Sequence, residues 1–199
     1  MFMILAEIAG DYMEWLYWLC SYMVGTFLTA YVIAKSKGID LSKEGSGNFG
    51  ARNIGRVIGA WAFIVTMLGD GLKGAAVVLA GYALGFSMVT VVIGLIFTVL
   101  GHVFPFWRKF KGGKGVATGI GGLLFVLPMG ALLLAVGFLL ILVMTRSTTK
   151  GMLGAFAVYG GYFIYVWSST SIAVLIVIFL VIWANRENIK EKLRKGSQV

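Results

Sequence analysis

The chain has 199 residues, 59% of them hydrophobic, and a mean hydropathy of +0.92. Soluble domains are about half apolar, so this composition excludes a soluble globular enzyme and fits one integral-membrane domain over 1–199. The formal net charge of +9 would suggest nucleic acid on a soluble protein; here it follows the membrane segments, and no nucleic-acid partner is expected.

The chain opens with MFMILAEIAGDYMEW, which has no Lys or Arg. It lacks the basic start of a signal peptide, so no cleavage is expected. A membrane helix needs about 20 apolar residues, and the first such stretch runs near 13–34. It holds Cys20, the one cysteine, which excludes an intrachain disulfide and a cysteine-based metal site. Further spans are expected near 57–82 and 86–106. A longer apolar stretch covers 116–145, and two short spans lie near 152–167 and 170–185.

All but one of the 17 basic residues fall between these spans. The first basic segment holds Lys35, Lys37, Lys43, Arg52 and Arg56. The second holds Arg108, Lys109, Lys111 and Lys114. The third holds Arg146 and Lys150, and the tail holds Arg186, Lys190, Lys192, Arg194 and Lys195. Basic loops stay in the cytoplasm, so the N-terminus, with Glu7, Asp11 and Glu14, is expected outside and the C-terminus inside. The 116–145 stretch must then leave and return, and Leu127-Pro128-Met129-Gly130 supplies the break, because proline removes a helical donor. The expected fold is an all-α polytopic membrane protein with seven transmembrane helices; the competing arrangement has six. The working segments, 35–56, 102–118, 145–150 and 185–199, share the cytoplasmic face.

The first of them contains EGSGNFGARNIGR at 44–56. Gly45, Gly47 and Gly50 have the spacing of a dinucleotide-binding turn, but that turn needs a βαβ unit, and membrane spans flank this one. The glycines keep a physical use, since backbone without Cβ can approach an anion closely. Ser46, Asn48 and Asn53 add hydrogen-bonding side chains. Arg52 and Arg56 share a helical face at i,i+4 and can grip phosphate. A basic juxtamembrane loop touching lipid headgroups is the simpler alternative.

The second segment is GHVFPFWRKFKGGKGVAT at 101–118. Gly112, Gly113 and Gly115 around Lys114 have the ingredients of an anion nest, with a helix starting near Val116. Lys111 adds a cation, and the spacing is not that of a Walker nucleotide loop. His102 closes the third span, where capping a helix end is its simplest role. Phe104, Phe106, Trp107 and Phe110 read as an interfacial aromatic belt or an amphipathic surface segment. Inside the second span, Asp70 and Lys73 stand at i,i+3, where a self-satisfied pair anchors the bundle; Asp70 orienting a basic residue of the site is the functional alternative. Gly69, Gly71 and Gly74 suggest close helix packing, as does Gly160-Gly161. The tail ANRENIKEKLRKG reads as a basic amphipathic surface helix.

Taken in order, GIDLSKEGSGNFGARNIGR at 38–56, DGLKG at 70–74, the 101–118 segment and NRENIKEKLRKG at 185–196 resemble the bacterial acyl-phosphate-dependent glycerol-3-phosphate acyltransferases. The resemblance covers nearly the whole chain. It implies seven helices in the bacterial inner membrane and an active site facing the cytoplasm. The reaction implied is transfer of an acyl group from acyl phosphate to the 1-hydroxyl of glycerol 3-phosphate. The product, lysophosphatidic acid, enters phospholipid synthesis. The implied partners are these two substrates and membrane lipids; no cofactor and no metal is implied. Ser46, Asn48, Asn53 and Arg56 match one phosphate grip, and Lys111, Gly113 and Lys114 the other, with His102 at the edge. Three positions depart from the family pattern. Arg52 stands where a small threonine is usual. TRSTTKGML at 145–153 keeps Thr149 for one usual serine and puts Met152 near the other. Asn185 replaces a histidine, while Asn188 is kept. These departures leave open a paralogue with another acceptor, or a non-catalytic lipid-binding protein on the same scaffold.

Overall fold

A computed structural model describes residues 2–126, 128–166 and 169–190, and these are helical or in turns and loops. In chain order they form α1 (Phe2–Thr26), α2 (Thr29–Ser36), α3 (Ala51–Val57), α4 (Ala60–Ala83) and α5 (Met88–Val103). A single 3-10 turn at Phe106–Arg108 leads to α6 (Val116–Val126), α7 (Pro128–Thr145), α8 (Thr148–Val166) and α9 (Ser169–Ala184). A further helical turn follows at 186–190. The rest of the tail predicted as a surface helix lies outside the described residues.

Among the described residues, three stretches are long and apolar enough to cross a membrane: Tyr12–Ser36, Ala60–Ala83 and Met88–Arg108. Pro128 opens α7, a position where its missing N–H is unpaired in any helix; of the expected break, Leu127 lies outside the described residues. α6 has 11 residues, about 16 Å at 1.5 Å per residue. Trp15, Leu16 and Leu19 on α1, Leu68 and Leu72 on α4, and Leu139, Leu140 and Val143 on α7 are exposed. Such apolar faces suit lipid rather than water.

The first predicted span is not one helix. It breaks at Phe27-Leu28, between α1 and α2. The break frees carbonyls that water cannot reach inside a membrane, so the protein must satisfy them. The Lys73 ammonium donates to Gly25 O at 3.1 Å and Phe27 O at 2.6 Å. Trp107 Nε1 donates to the carbonyl between them, Thr26 O, at 3.2 Å. The second predicted span is one helix, α4, which starts at Ala60 rather than 57 because α3 ends at Val57. α8 begins at Thr148, so Thr149 and Lys150 stand in its first turn rather than in a loop. Lys150 N donates to Ser147 Oγ at 3.4 Å.

Small residues set the closest approaches. A Cβ on Gly74 would overlap Thr118 O, and one on Gly121 would overlap Gly71 O, so α4 and α6 meet backbone to backbone. Gly160 and Gly161 do not play this part. Gly160 meets Leu175 and Ile178 only at 3.5 and 3.6 Å, and Gly161 has open space. One buried core joins α5, α6, α8 and α9 through Leu95, Val99, Leu123, Phe156, Tyr159, Val177 and Val181. A second, built from Leu28, Ile33, Leu41, Phe49, Ile54 and Ala62, lies under the first loop. Burying Leu41 and Phe49 contributes about 1.5–3 kcal/mol each relative to exposure in water, which seats that loop on α2 and α3.

Candidate active site

The first loop, 37–50, is closed from inside by Asn53. Asn53 is 2% exposed. Its Oδ1 accepts Ser46 N at 2.8 Å and its Nδ2 donates to Glu44 O at 3.0 Å. Both polar ends therefore serve the loop. Gly45 and Gly47 sit at φ +58 and +68, the left-handed region that glycine enters without strain. A Cβ on Gly45 would also overlap Asn53 Oδ1. Gly50 is the N-cap of α3, in extended conformation. Arg52 and Arg56 both lie on α3 and are exposed, as is Ser46. Asp40 accepts the Ser42 hydroxyl at 2.6 Å and the Ser42 amide at 3.2 Å, which holds its carboxyl below the usual range.

The second loop is fixed through its backbone. Gly112 N donates to Val103 O at 3.1 Å and Gly113 N to His102 O at 3.0 Å. These amides were expected to face an anion and instead bind the end of α5. Their glycines are needed for close approach: a Cβ on Gly112 would overlap His102 O, and one on Gly113 would overlap His102 Nε2. Gly115, at φ +71, precedes α6. Lys109 and Phe110 hold positive φ of 52 and 60 without being glycine; such strain persists only where the surroundings enforce it. Phe110 N donates to Pro105 O and Lys111 N to Arg108 O, which closes this turn.

Four segments meet here. Phe49 N and Asn48 Nδ2 both donate to Gly112 O, at 3.4 and 3.3 Å, and join the two loops. Asn185 Nδ2 donates to Lys114 O at 3.3 Å and to Val181 O at 2.7 Å, bringing the end of α9 to the second loop. Arg52 Nη1 lies 3.5 Å from Thr149 Oγ1, a long contact that joins α3 to α8. Asn188 and Lys114 are half-buried and Lys111 is exposed. A cleft of about 460 Å³ opens between the loops, lined by Ser42, Gly47, Phe49, Trp107, Arg108, Lys109 and Lys111.

Two parts of this site were missed in the sequence. Arg108 places its guanidinium 4.7 Å from the Phe49 ring centre and 5.4 Å from that of Tyr31, so the aromatic and basic residues at 104–110 lock the loops together. Phe106, Trp107 and Phe110 remain exposed. The second is the reach of the Asp70–Lys73 pair. The expected ion pair is present at 3.2 Å, but Lys73 Nζ also lies 2.7 Å from His102 Nδ1. All three side chains are buried, and Thr29 Oγ1 donates to Asp70 Oδ1 at 3.2 Å. His102 therefore belongs to a buried polar group beneath the second loop rather than to an interfacial helix cap.

The arrangement offers clustered cations, a backbone joint and a buried polar base, which suits ligands that carry phosphate. Known proteins match it over most of its length. The model of the glycerol-3-phosphate acyltransferase family matches residues 15–195. Glycerol-3-phosphate acyltransferase 1 of Bacillus cereus is 41% identical over 179 residues, 88% of this chain and 98% of the relative. Glycerol-3-phosphate acyltransferase of Bacillus subtilis is 35% identical, over 88% of this chain and 91% of the relative. The crystal structure of PlsY (YgiH), an integral membrane glycerol 3-phosphate acyltransferase, in its glycerol 3-phosphate form superposes with a TM-score of 0.84. It shares 30% identity over 92% of each chain. The chain belongs to the glycerol-3-phosphate acyltransferase family.

Proposed function

We propose that this enzyme acylates the 1-hydroxyl of glycerol 3-phosphate with acyl phosphate, releasing lysophosphatidic acid and inorganic phosphate. The observation that carries the reading is the joint at Gly112 O, where the Ser46–Asn48 loop meets the Lys111–Lys114 loop. Two phosphate-bearing substrates need two anion grips side by side. Ser46, Asn48, Arg52 and Arg56 form one, with Gly45, Gly47, Gly50 and Asn53 shaping it. Lys111 and Lys114 form the other, on the frame made by Gly112, Gly113 and Gly115. Thr149, Asn185 and Asn188 close the acceptor side.

In the reaction the substrate hydroxyl attacks the acyl carbon, the bond from that carbon to the phosphate oxygen breaks, and an ester forms. The hydroxyl proton leaves with the departing phosphate. An acyl phosphate is already activated, so positioning supplies much of the rate, and cations stabilise the developing oxyanion and the leaving group. No nucleophilic triad is needed.

The proposed topology is seven crossings of the bacterial inner membrane, N-terminus outside, with the site on the cytoplasmic face. Its support is the confinement of the basic residues other than Lys73 to four segments between spans. The test is incubation of purified protein with acyl phosphate and glycerol 3-phosphate, beside a screen of other hydroxyl acceptors. Lysophosphatidic acid is the expected product, and its absence from folded protein overturns the reading. Lys114→Ala is expected to remove activity; full turnover in that variant would refute the second-loop assignment.

A further inference from the structure

We infer that Asp70, Lys73 and His102 form a buried positioning chain that fixes the histidine as a single tautomer and turns its Nε2–H upward as a donor to a substrate oxygen. The inference rests on the acyltransferase reading of the loop above it.

The first link is the lysine. Its ammonium carries three donors and no acceptor. Four acceptors lie within its reach and share those donors: Gly25 O, Phe27 O and Asp70 Oδ1 at 3.1, 2.6 and 3.2 Å, and His102 Nδ1. The carboxylate and the two carbonyls at the α1–α2 break fix where it stands. His102 Nδ1, at 2.7 Å, can then only accept. The ring proton must sit on Nε2. Asp70 Oδ1 is 3.7 Å from Nδ1, too far for a good hydrogen bond, so the carboxylate acts on the histidine through the lysine.

The second link is the direction of the ring. Its Nε2 edge lies against Gly113, where any Cβ would overlap it. Gly113 N donates to the carbonyl of the same histidine at 3.0 Å, so ring and loop are held in one register. His102 is 3% exposed, and its ring contacts to Lys73 and Asp70 both run through Nδ1. That leaves the Nε2 edge to serve a group outside the chain. The loop above carries Lys114, and the partner that fits is an oxygen of a substrate phosphate or of the acyl carbonyl held there. Lys73 and Asp70 are then positioning residues, and His102 touches substrate.

The chain has one histidine, so selective ¹⁵N-histidine labelling gives a single imidazole spin system. In the full-length native protein, the spectrum is expected to show one locked form, bare at Nδ1 and protonated at Nε2. Lys73→Met is expected to release it into the averaged mixture of a free imidazole. A native ring protonated at Nδ1, or a folded Lys73→Met protein with an unchanged ring, overturns the proposal. Glycerol 3-phosphate, inorganic phosphate and a non-hydrolysable acyl phosphate analogue are then added separately. The one that seats on the ring is expected to move the Nε2 signal more than Nδ1, which identifies the donating substrate; no movement with any of them overturns the substrate contact. Kinetics supply the variant that is safe against misfolding. His102→Gln keeps an amide donor near Nε2 and is expected to retain kcat within about tenfold of native. His102→Phe keeps the ring without the donor and is expected to lose about a hundredfold in kcat with little change in KM, the signature of a contact made in the transition state. Equal rates in the His102→Gln and His102→Phe proteins contradict the donor role. The tautomer is read without turnover, so a locked ring in a protein that makes no lysophosphatidic acid would fault the function and not the positioning chain.

Discussion

The two glycine-rich loops look alike in sequence and are built on different principles. The first, EGSGNFG, obtains its left-handed positions from glycines at 45 and 47. Its closure depends on one side chain, Asn53. The second uses one glycine in this way, Gly115, but also holds Lys109 and Phe110 left-handed, to which they are not suited, and its closure depends on backbone bonds to α5. The first loop exposes Ser46 and, on the following α3, Arg52 and Arg56. The second rests on a buried polar group whose members come from α4 and α5. One loop is a surface grip that Asn53 closes and that buried Leu41 and Phe49 seat. The other is a rigid platform whose shape the membrane helices dictate.

The contrast ranks the expected damage. Gly113→Ala strikes the platform where it meets His102 Nε2. A methyl there must displace either the ring or the loop, and a loss in kcat of about a hundredfold or more is expected in the acyltransferase assay. Near-native turnover would show that the platform is softer than its bonding indicates. Asn53→Ala removes both bonds that close the first loop. A stability loss of about 1–3 kcal/mol is expected, because Ser46 N and Glu44 O lose their partner. The activity should fall by about tenfold, mainly through KM for the acceptor. Thermal unfolding in detergent and initial-rate kinetics on the same sample separate these effects. Arg52→Thr breaks a 3.5 Å contact to Thr149 at an exposed guanidinium. It also removes one cation of the proposed grip and should raise KM for glycerol 3-phosphate by about fivefold, with unfolding unchanged within about 0.5 kcal/mol. A large gain in glycerol 3-phosphate specificity would instead mark Arg52 as the residue that selects the acceptor.

The same contrast explains what could be read from sequence. Apolar length and basic segments located the spans, and Pro128 stands at the start of α7 because its chemistry is local. The Asp70–Lys73 pair was legible because i,i+3 residues share a helix face. The break at Phe27-Leu28 was not, since no proline marks it and its carbonyls are satisfied from Lys73 and Trp107, far along the chain. The Lys73–His102 contact spans 29 positions and two helices, so no spacing rule could suggest it. The glycines at 112 and 113 were noticed for a sound reason and given the wrong use: their amides face α5. Composition shows that a glycine is needed for close approach, but not which neighbour it must approach.

The central claim is that these unlike loops serve one site through the joint at Gly112 O. A double-mutant cycle of Asn48→Ala with Lys111→Met, scored on kcat/KM with glycerol 3-phosphate, tests it most directly. Asn48 holds the joint from the first loop, and Lys111 stands beside it in the second. A shared site predicts losses that fail to add, with a coupling of at least about 1 kcal/mol. Losses that multiply within error would contradict the account, because they would show two loops acting independently.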